Sequence, residues 1–236
     1  LSASRLHIPV IHLEAGLRSY DYTMPEEINR RLTDHLSRML IATSATATKN
    51  LLNENINESW IFQTGDTMID AITRNSHIAD EKSTILKSLK IKRNEYILLT
   101  LHRQENVDNK KRLECILKSL QDITLDIVFP MHPRTKKMIE KFNLSLYLKN
   151  KNIIVINPVG YLDFIKLEKN AMIIMTDSGG IQKEALALRV PCITLRDNTE
   201  WVETLELGVN KLVGTNQNLI LSAIKHYVTN SKSSQY

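Results

Sequence analysis

Ile173-Ile174-Met175-Thr176-Asp177-Ser178-Gly179-Gly180-Ile181-Gln182-Lys183-Glu184 decides the fold. Its apolar run reads as a buried strand, stops at a polar Asp-Ser pair, turns through two glycines and continues with a helical pattern. Adjacent glycines permit a sharp turn and place no Cβ between a ligand and the N–H groups that follow. Free N–H groups at a helix start, with the positive end of the helix dipole, form a site for phosphate. Ser178 adds a hydroxyl there. Glu184 falls on the first turns of the helix, where a carboxylate can accept bonds from two sugar hydroxyls. A strand–turn–helix connection capped by Ser and Gly explains the stretch equally well by itself, so the rest of the chain decides.

Working outward, the same unit recurs. Strands are expected at 96–101, 127–131, 153–156, 171–176, 192–195 and 211–213, alternating with helices at 110–120, 136–143, 162–169, 180–188, 200–207 and 218–228. This alternation means βαβ units and a parallel sheet. Upstream, 10–13, 40–42 and 61–62 read as strands. Pro25-Glu26-Glu27 opens a helix, because Pro suits its first position and the acids its positive end. Thr43 to Glu54 reads as another helix. Between 66 and 92 apolar density falls and charge rises, with helices expected near 69–78 and 81–92. The domain reading is therefore 1–66, a connection at 67–92, a second domain at 93–228 and a tail at 229–236, with 230–236 expected to be disordered. Leu1 is not Met, and 1–9 reads as the end of a helix leading into a strand. The expectation is a piece of a longer protein whose first domain is truncated.

Composition narrows the class. With 42% apolar and 24% charged residues, the chain is an ordinary globular one. No apolar run approaches the roughly 18 residues that span a bilayer. Two cysteines, Cys115 and Cys192, make neither a disulfide framework nor a metal cluster, so a reducing cytoplasmic setting is expected. The net charge of +5 is spread along the chain without an aromatic-studded basic stripe, which argues against nucleic acid.

Polar residues gather at strand ends: His12 and Glu14, His102 and Arg103, His132 and Arg134, Asp177 and Ser178, Arg196 and Asp197. Open parallel sheets bind ligands along that edge. His102-Arg103 offers a donor pair to phosphate, and the imidazole can titrate near neutrality. Alone, Glu14 and Glu26 read as capping or ion-paired acids; for His102 a core histidine with one backbone bond is the lesser alternative. No Cys/His pair has metal-ligand spacing and no Ser lies in a nucleophile elbow, so neither a metal nor an acyl-enzyme is expected, and no cofactor.

Taken together, His12-Leu13-Glu14-Ala15-Gly16-Leu17-Arg18, Pro25-Glu26-Glu27-Ile28-Asn29-Arg30, Thr100-Leu101-His102-Arg103-Gln104-Glu105-Asn106, Pro158-Val159-Gly160-Tyr161-Leu162-Asp163-Phe164, Thr176 to Ala185, and Arg196 with Thr199-Glu200 resemble the non-hydrolysing UDP-N-acetylglucosamine 2-epimerase family. Each motif is weak; in this order, from residue 7 to about 214, the set is specific. The resemblance implies an α/β fold of two Rossmann-like domains of GT-B type, with a UDP-sugar in the cleft between them. It implies interconversion of UDP-GlcNAc and UDP-ManNAc by anti elimination of UDP to 2-acetamidoglucal and re-addition. By resemblance Glu14 and Glu26 match the catalytic glutamates, His102 the histidine at the diphosphate, Ser178, Gly179 and Gly180 the phosphate loop, and Glu184 the ribose acceptor. Arg103, His132 and Arg196 are added as expected UDP contacts. A homodimer and a role in making a surface polysaccharide or glycan are implied likewise.

The chain departs from the family's pattern in three places. A third catalytic carboxylate, from a Gly-Asp-Thr, and a nucleotide-binding arginine are expected upstream of Leu1; Asp66 in Gly65-Asp66-Thr67 is not that Asp. Trp201 stands where the family often has Arg, leaving Arg196 to compensate. Alternatives are the hydrolysing relative, which releases ManNAc and UDP, a GT-B glycosyltransferase, which gives no reason for Glu14 and Glu26, and a UDP-binding module without turnover.

Overall fold

A computed structural model describes residues 1–233. It divides into two compact units, Leu1–Asp70 and Ala71–Tyr236. Both are α/β with parallel strands, as the alternation predicts.

In the first unit, β1 (Ile11–Ala15), β2 (Met39–Ala42) and β3 (Ile61–Gln63) form a parallel sheet in the order β1-β2-β3. The connections carry a short α1 (Ser2–Arg5) ahead of β1, then α2 (Pro25–Leu36) and α3 (Ala45–Asn53). Pro25 starts α2 as expected, and Ser44 caps α3 by accepting from the Ala47 N–H at 3.1 Å. α4 (Thr67–Lys82) begins in this unit and continues in the next.

In the second unit, six parallel strands lie in the order β6-β5-β4-β7-β8-β9: β4 (Tyr96–Thr100), β5 (Asp126–Pro130), β6 (Ile153–Ile156), β7 (Ile173–Thr176), β8 (Cys192–Thr194) and β9 (Asn210–Leu212). Numbered within the unit this is 3-2-1-4-5-6, the doubly wound order, and chain direction around the sheet reverses between β4 and β7. Helices cover both faces: α5 (Ile85–Leu89), α6 (Gln104–Val107), α7 (Lys110–Ser119), α8 (Pro133–Lys141), α9 (Tyr161–Lys169), α10 (Gly179–Leu188), α11 (Val202–Glu206) and α12 (Gln217–Ser233). Strand alternation divides the core. Ile97, Leu99 and Leu101 pack with Leu113 and Ile220 on one face; Tyr96 and Leu98 pack with Leu167 and Ala185 on the other. Being buried on both sides, β4 reads as a continuous apolar run.

Three expectations are corrected. The helix expected at 81–92 shrinks to α5, because Ser83 leaves the helical path: its hydroxyl donates to Asp163 at 2.5 Å and accepts from the Ile85 N–H. Residues 104–107, to which the sequence pattern assigns no element, form α6. The tail expected to be disordered from 230 begins as helix, since α12 runs to Ser233; 234–236 lie outside the described residues. Among the described residues no helix is long and apolar enough to cross a membrane.

Candidate functional site

The opening stretch folds as expected: β7 ends at Thr176 and α10 starts at Gly179. Asp177 between them is fully buried. Its carboxylate accepts the His102 N–H at 3.1 and 3.2 Å, the Arg103 N–H at 3.0 Å and the Asn106 side-chain amide at 3.2 Å. Asn106 also donates to the Leu195 carbonyl at 2.8 Å. One residue thus ties together the ends of β4, β7 and β8. Thr176 does similar work: its hydroxyl bonds Thr100 at 2.6 Å and receives the Ser178 N–H at 2.9 Å.

What this scaffold presents is the start of α10. Ser178 is its N-cap residue, yet its hydroxyl makes no capping bond, so a capping role does not account for it. The first N–H groups of a helix have no intrahelical acceptor. Gly179 is needed sterically: a Cβ there would lie 2.4 Å from Glu200 Oε1 and 3.4 Å from Trp201 Nε1. Beside the turn, a cavity of about 180 Å³ is lined by Leu101, His102, Pro130, His132, Pro158, Val159, Phe164 and Ile181. The His102 and His132 rings lie 5.9 Å apart at its polar end. Burial holds the His102 imidazole below the ordinary histidine value; Asp177 works against that, and Arg103 and His132 reinforce it. His132 is exposed and caps α8, accepting the Arg134 N–H at 3.2 Å.

Glu184, half-buried on α10, is held above the ordinary carboxylate range by burial, opposed by Glu168 and Lys183. Arg196, expected to stand in for the missing cation, is buried and pairs with Glu200 at 3.0 Å. Lys183, which the sequence reading passed over, lies 3.9 Å from the centre of the Trp201 ring, both side chains buried. The indole Nε1 has no hydrogen-bond partner and is buried beside Gly179.

In the first unit the motif residues separate into framework and surface. Arg18 is fully buried, donating twice to Glu54 and once to Asp34, each at 2.7 Å. Asp34 also bonds His12 at 2.6 Å and accepts the Gly16 N–H at 3.2 Å. Gly16, at φ +83°, has the Ala47 carbonyl oxygen 2.3 Å from where a Cβ would stand. Glu27 is buried and accepts from Ser19 and Tyr20, which closes the loop before α2. Glu26 is exposed, and Glu14 sits half-buried where the strand register shifts, with φ +64°. Left-handed backbone at a non-glycine residue is a strain that concentrates at functional sites.

Sequence reasoning overlooked Asn106, Thr176 and Glu168. The first two carry only short polar side chains in strand-end motifs. Glu168 did leave a signal, a carboxylate three and four residues from Ile165 and Phe164 on the apolar stripe of α9.

Fold and site together define a parallel α/β protein with a phosphate-type turn at the switch point of a doubly wound sheet. The chain belongs to the UDP-N-acetylglucosamine 2-epimerase family, whose model matches residues 1–236. It is 52% identical over 233 residues to the UDP-N-acetylglucosamine 2-epimerase of Methanocaldococcus jannaschii, covering 95% of this chain and 63% of that one. It is 41% identical over 230 residues to the UDP-2,3-diacetamido-2,3-dideoxy-D-glucuronate 2-epimerase of Pseudomonas aeruginosa, covering 95% and 62%. The crystal structure of the M. jannaschii UDP-GlcNAc 2-epimerase in complex with UDP-GlcNAc and UDP superposes with a TM-score of 0.89 at 51% identity, covering 95% of this chain and 64% of that chain. The chain therefore spans slightly under two thirds of the length of these relatives.

Proposed function

We propose that this chain carries the UDP site and two acid–base glutamates of a non-hydrolysing UDP-N-acetylglucosamine 2-epimerase. The observation that carries the reading is the Ser178-Gly179-Gly180 turn at the sheet's switch point, beside His102, in a unit like that of a relative crystallised with UDP-GlcNAc and UDP. In this reading the diphosphate meets the start of α10, with Ser178, His102 and Arg103 as donors. The uracil enters the apolar slot lined by Pro158, Val159 and Phe164, near His132. Glu184 accepts the ribose hydroxyls, and Arg196 borders the loop through Glu200.

Glu14 and Glu26 then supply the proton chemistry. One takes the C2 proton as the C1–O bond breaks; the electron pair forms the C1=C2 bond of 2-acetamidoglucal, and the C1–O pair leaves on the diphosphate. Donors around His102 stabilise that charge, and aligned donors in a site that excludes water are the largest lever on such a step. The second glutamate returns a proton to C2 from the opposite face, and the diphosphate oxygen re-adds at C1. Inversion needs acid–base groups on two faces, which is why a pair is expected. A homodimer in the cytoplasm belongs to the same proposal.

Incubation of the full-length protein with UDP-GlcNAc in D2O, followed by NMR, tests it. The expected result is UDP-ManNAc with deuterium at C2, abolished in Glu14→Gln and Glu26→Gln. Free ManNAc would favour the hydrolysing reaction. Turnover of a diacetamido uronate alone would change the sugar and keep the chemistry; absence of C2 exchange with every UDP-sugar would overturn the reading.

A further inference from the structure

Glu168 is an acid that the chemistry above does not use. It lies on α9, fully buried, and among the described residues neither carboxylate oxygen receives a hydrogen bond. Removing a carboxylate from water without donors costs several kcal/mol, so such a group holds its proton instead. α9 packs against α10, and the carboxyl within hydrogen-bond reach is that of Glu184. Two carboxylates offer four acceptors and no donor. The pair can bond only through a shared proton.

The surroundings say which residue carries it. Burial first, then the Glu184 charge and the bond to it, push the Glu168 carboxyl well above the carboxylate range; Glu184 is raised less and is favoured as the anion by the bond from Glu168 and by Lys183. The other titratable groups on the packed elements do not supply a counter-charge. Tyr96 on β4 spends its hydroxyl on the Leu167 carbonyl at 2.6 Å, and burial holds the Cys192 thiol of β8 at about 12. Tyr161, at the start of α9, is half-exposed and raised by burial, then by Glu184 and Glu168. Lys166 and Lys169 are both taken by Asp80 of α4 at 2.6 Å, and Lys87 of α5 is exposed.

We propose that Glu168 is a positioning residue, donating its carboxyl proton to Glu184 and so fixing that carboxylate to receive the two hydroxyls of the UDP ribose. The inference rests on Glu184 being the ribose acceptor. One oxygen of Glu184 is thereby occupied by Glu168, which leaves the other for the ribose. Ionisation of Glu168 would place two buried like charges together and swing Glu184 away from the ribose. Glutamine at 168 keeps a donor that does not titrate; leucine keeps the bulk and loses the donor.

Calorimetry on the 236-residue chain with UDP and with 2′,3′-dideoxy-UDP tests this, from neutral to mildly alkaline pH, for wild type, Glu168→Gln and Glu168→Leu. The wild type is expected to prefer UDP, with a preference that declines as pH rises. Glu168→Gln should keep the preference at every pH, and Glu168→Leu should lose about tenfold of it, equivalent to about 1.4 kcal/mol. Infrared difference spectra give a readout independent of binding: a protonated-carboxyl carbonyl band present at neutral pH in the wild type and absent in Glu168→Gln, which holds even where Glu168→Leu does not fold. An unchanged preference in Glu168→Leu, or no such band, would overturn the proposal. Equal binding of the two nucleotides by the wild type would instead overturn the reading of Glu184, leaving the band to decide the shared proton.

Discussion

The backbone N–H of His102 donates to the carboxylate of Asp177 across the switch point of the six-stranded sheet, at 3.1 Å. The bond joins the residue expected at the diphosphate to the residue just before the phosphate turn. It gives Asp177 a structural reason to belong to the motif: it sets the spacing between the loops that follow β4 and β7. Asp177→Ala would leave the His102 and Arg103 N–H groups and the Asn106 amide without their acceptor. Each unsatisfied buried group costs about 1–3 kcal/mol, so a loss on the order of 3 kcal/mol is expected. Urea unfolding without nucleotide measures it; stability within 0.5 kcal/mol of wild type, roughly the range of a neutral surface substitution, would refute the structural role.

Gly179 is the turn residue whose replacement separates geometry from charge. An alanine Cβ would meet Glu200 Oε1 at 2.4 Å, while at Gly160 it would meet nothing within 4 Å. Gly179→Ala should weaken UDP binding by about tenfold or more, and Gly160→Ala should leave it near wild type. Titration calorimetry of both variants decides; equal affinities would show that the start of α10 is not where phosphate binds.

These two positions show how much was legible beforehand. The parallel α/β fold could be read from alternation alone, since β4 and β7 are continuous apolar runs and each helix keeps a stripe. Ser178 to Gly180 were legible as a turn because a sharp strand-to-helix connection favours small residues. Where the reading fell short, the deciding interactions are remote in sequence. Ser83 breaks a helix by bonding Asp163, 80 residues away, and the pairing of Arg196 with Glu200 has no signature in the local pattern. The roles of His12, Gly16 and Arg18 depend on Asp34, which no local pattern links to them.

His102 gives a pH dependence with a definite sign. Its imidazole is held below the ordinary value of 6.5, chiefly by burial, so in the free chain it is neutral at pH values where an unfolded histidine begins to charge. Its contribution to stability is present above pH 6.5 and falls as pH drops through the lower folded value. A bound diphosphate reverses the preference by stabilising imidazolium. UDP binding should therefore take up protons and tighten as pH falls below neutrality. Calorimetry in buffers of different ionisation enthalpy counts the protons, and His102→Gln should flatten the profile. Proton release on binding would contradict the assignment.

Arg18 carries a dependence of the same sign, in a more acid range, in the first unit. The guanidinium lowers the Glu54 carboxyl below its ordinary value of 4.5, foremost through its hydrogen bonds. That stabilisation is present above pH 4.5 and lost as pH falls through the lower folded value. Arg18→Met should cost about 3–5 kcal/mol, since it strands Asp34 and Glu54 without their buried partner. Thermal unfolding from neutral to acid pH should show the variant less stable but with a shallower acid slope; an equal slope would place the acid-labile group elsewhere.

Trp201 supplies the last prediction, because the chain has only two tryptophans. Its Nε1 is buried beside Gly179 with no partner, and Lys183 lies over its ring at 3.9 Å. Diphosphate at the start of α10 would change the field at the indole and draw Lys183 toward the anion, loosening the cation–ring contact. Trp60 stacks under Arg38 in the first unit, remote in sequence from the turn, with its ring 5.5 Å from the guanidinium carbon. UDP should therefore alter intrinsic fluorescence in the wild type and in Trp60→Phe, and leave it unaltered in Trp201→Phe. A change that follows Trp60 would remove Trp201 from the neighbourhood of the phosphates, and with it the view that this residue takes over the ground of the family's arginine.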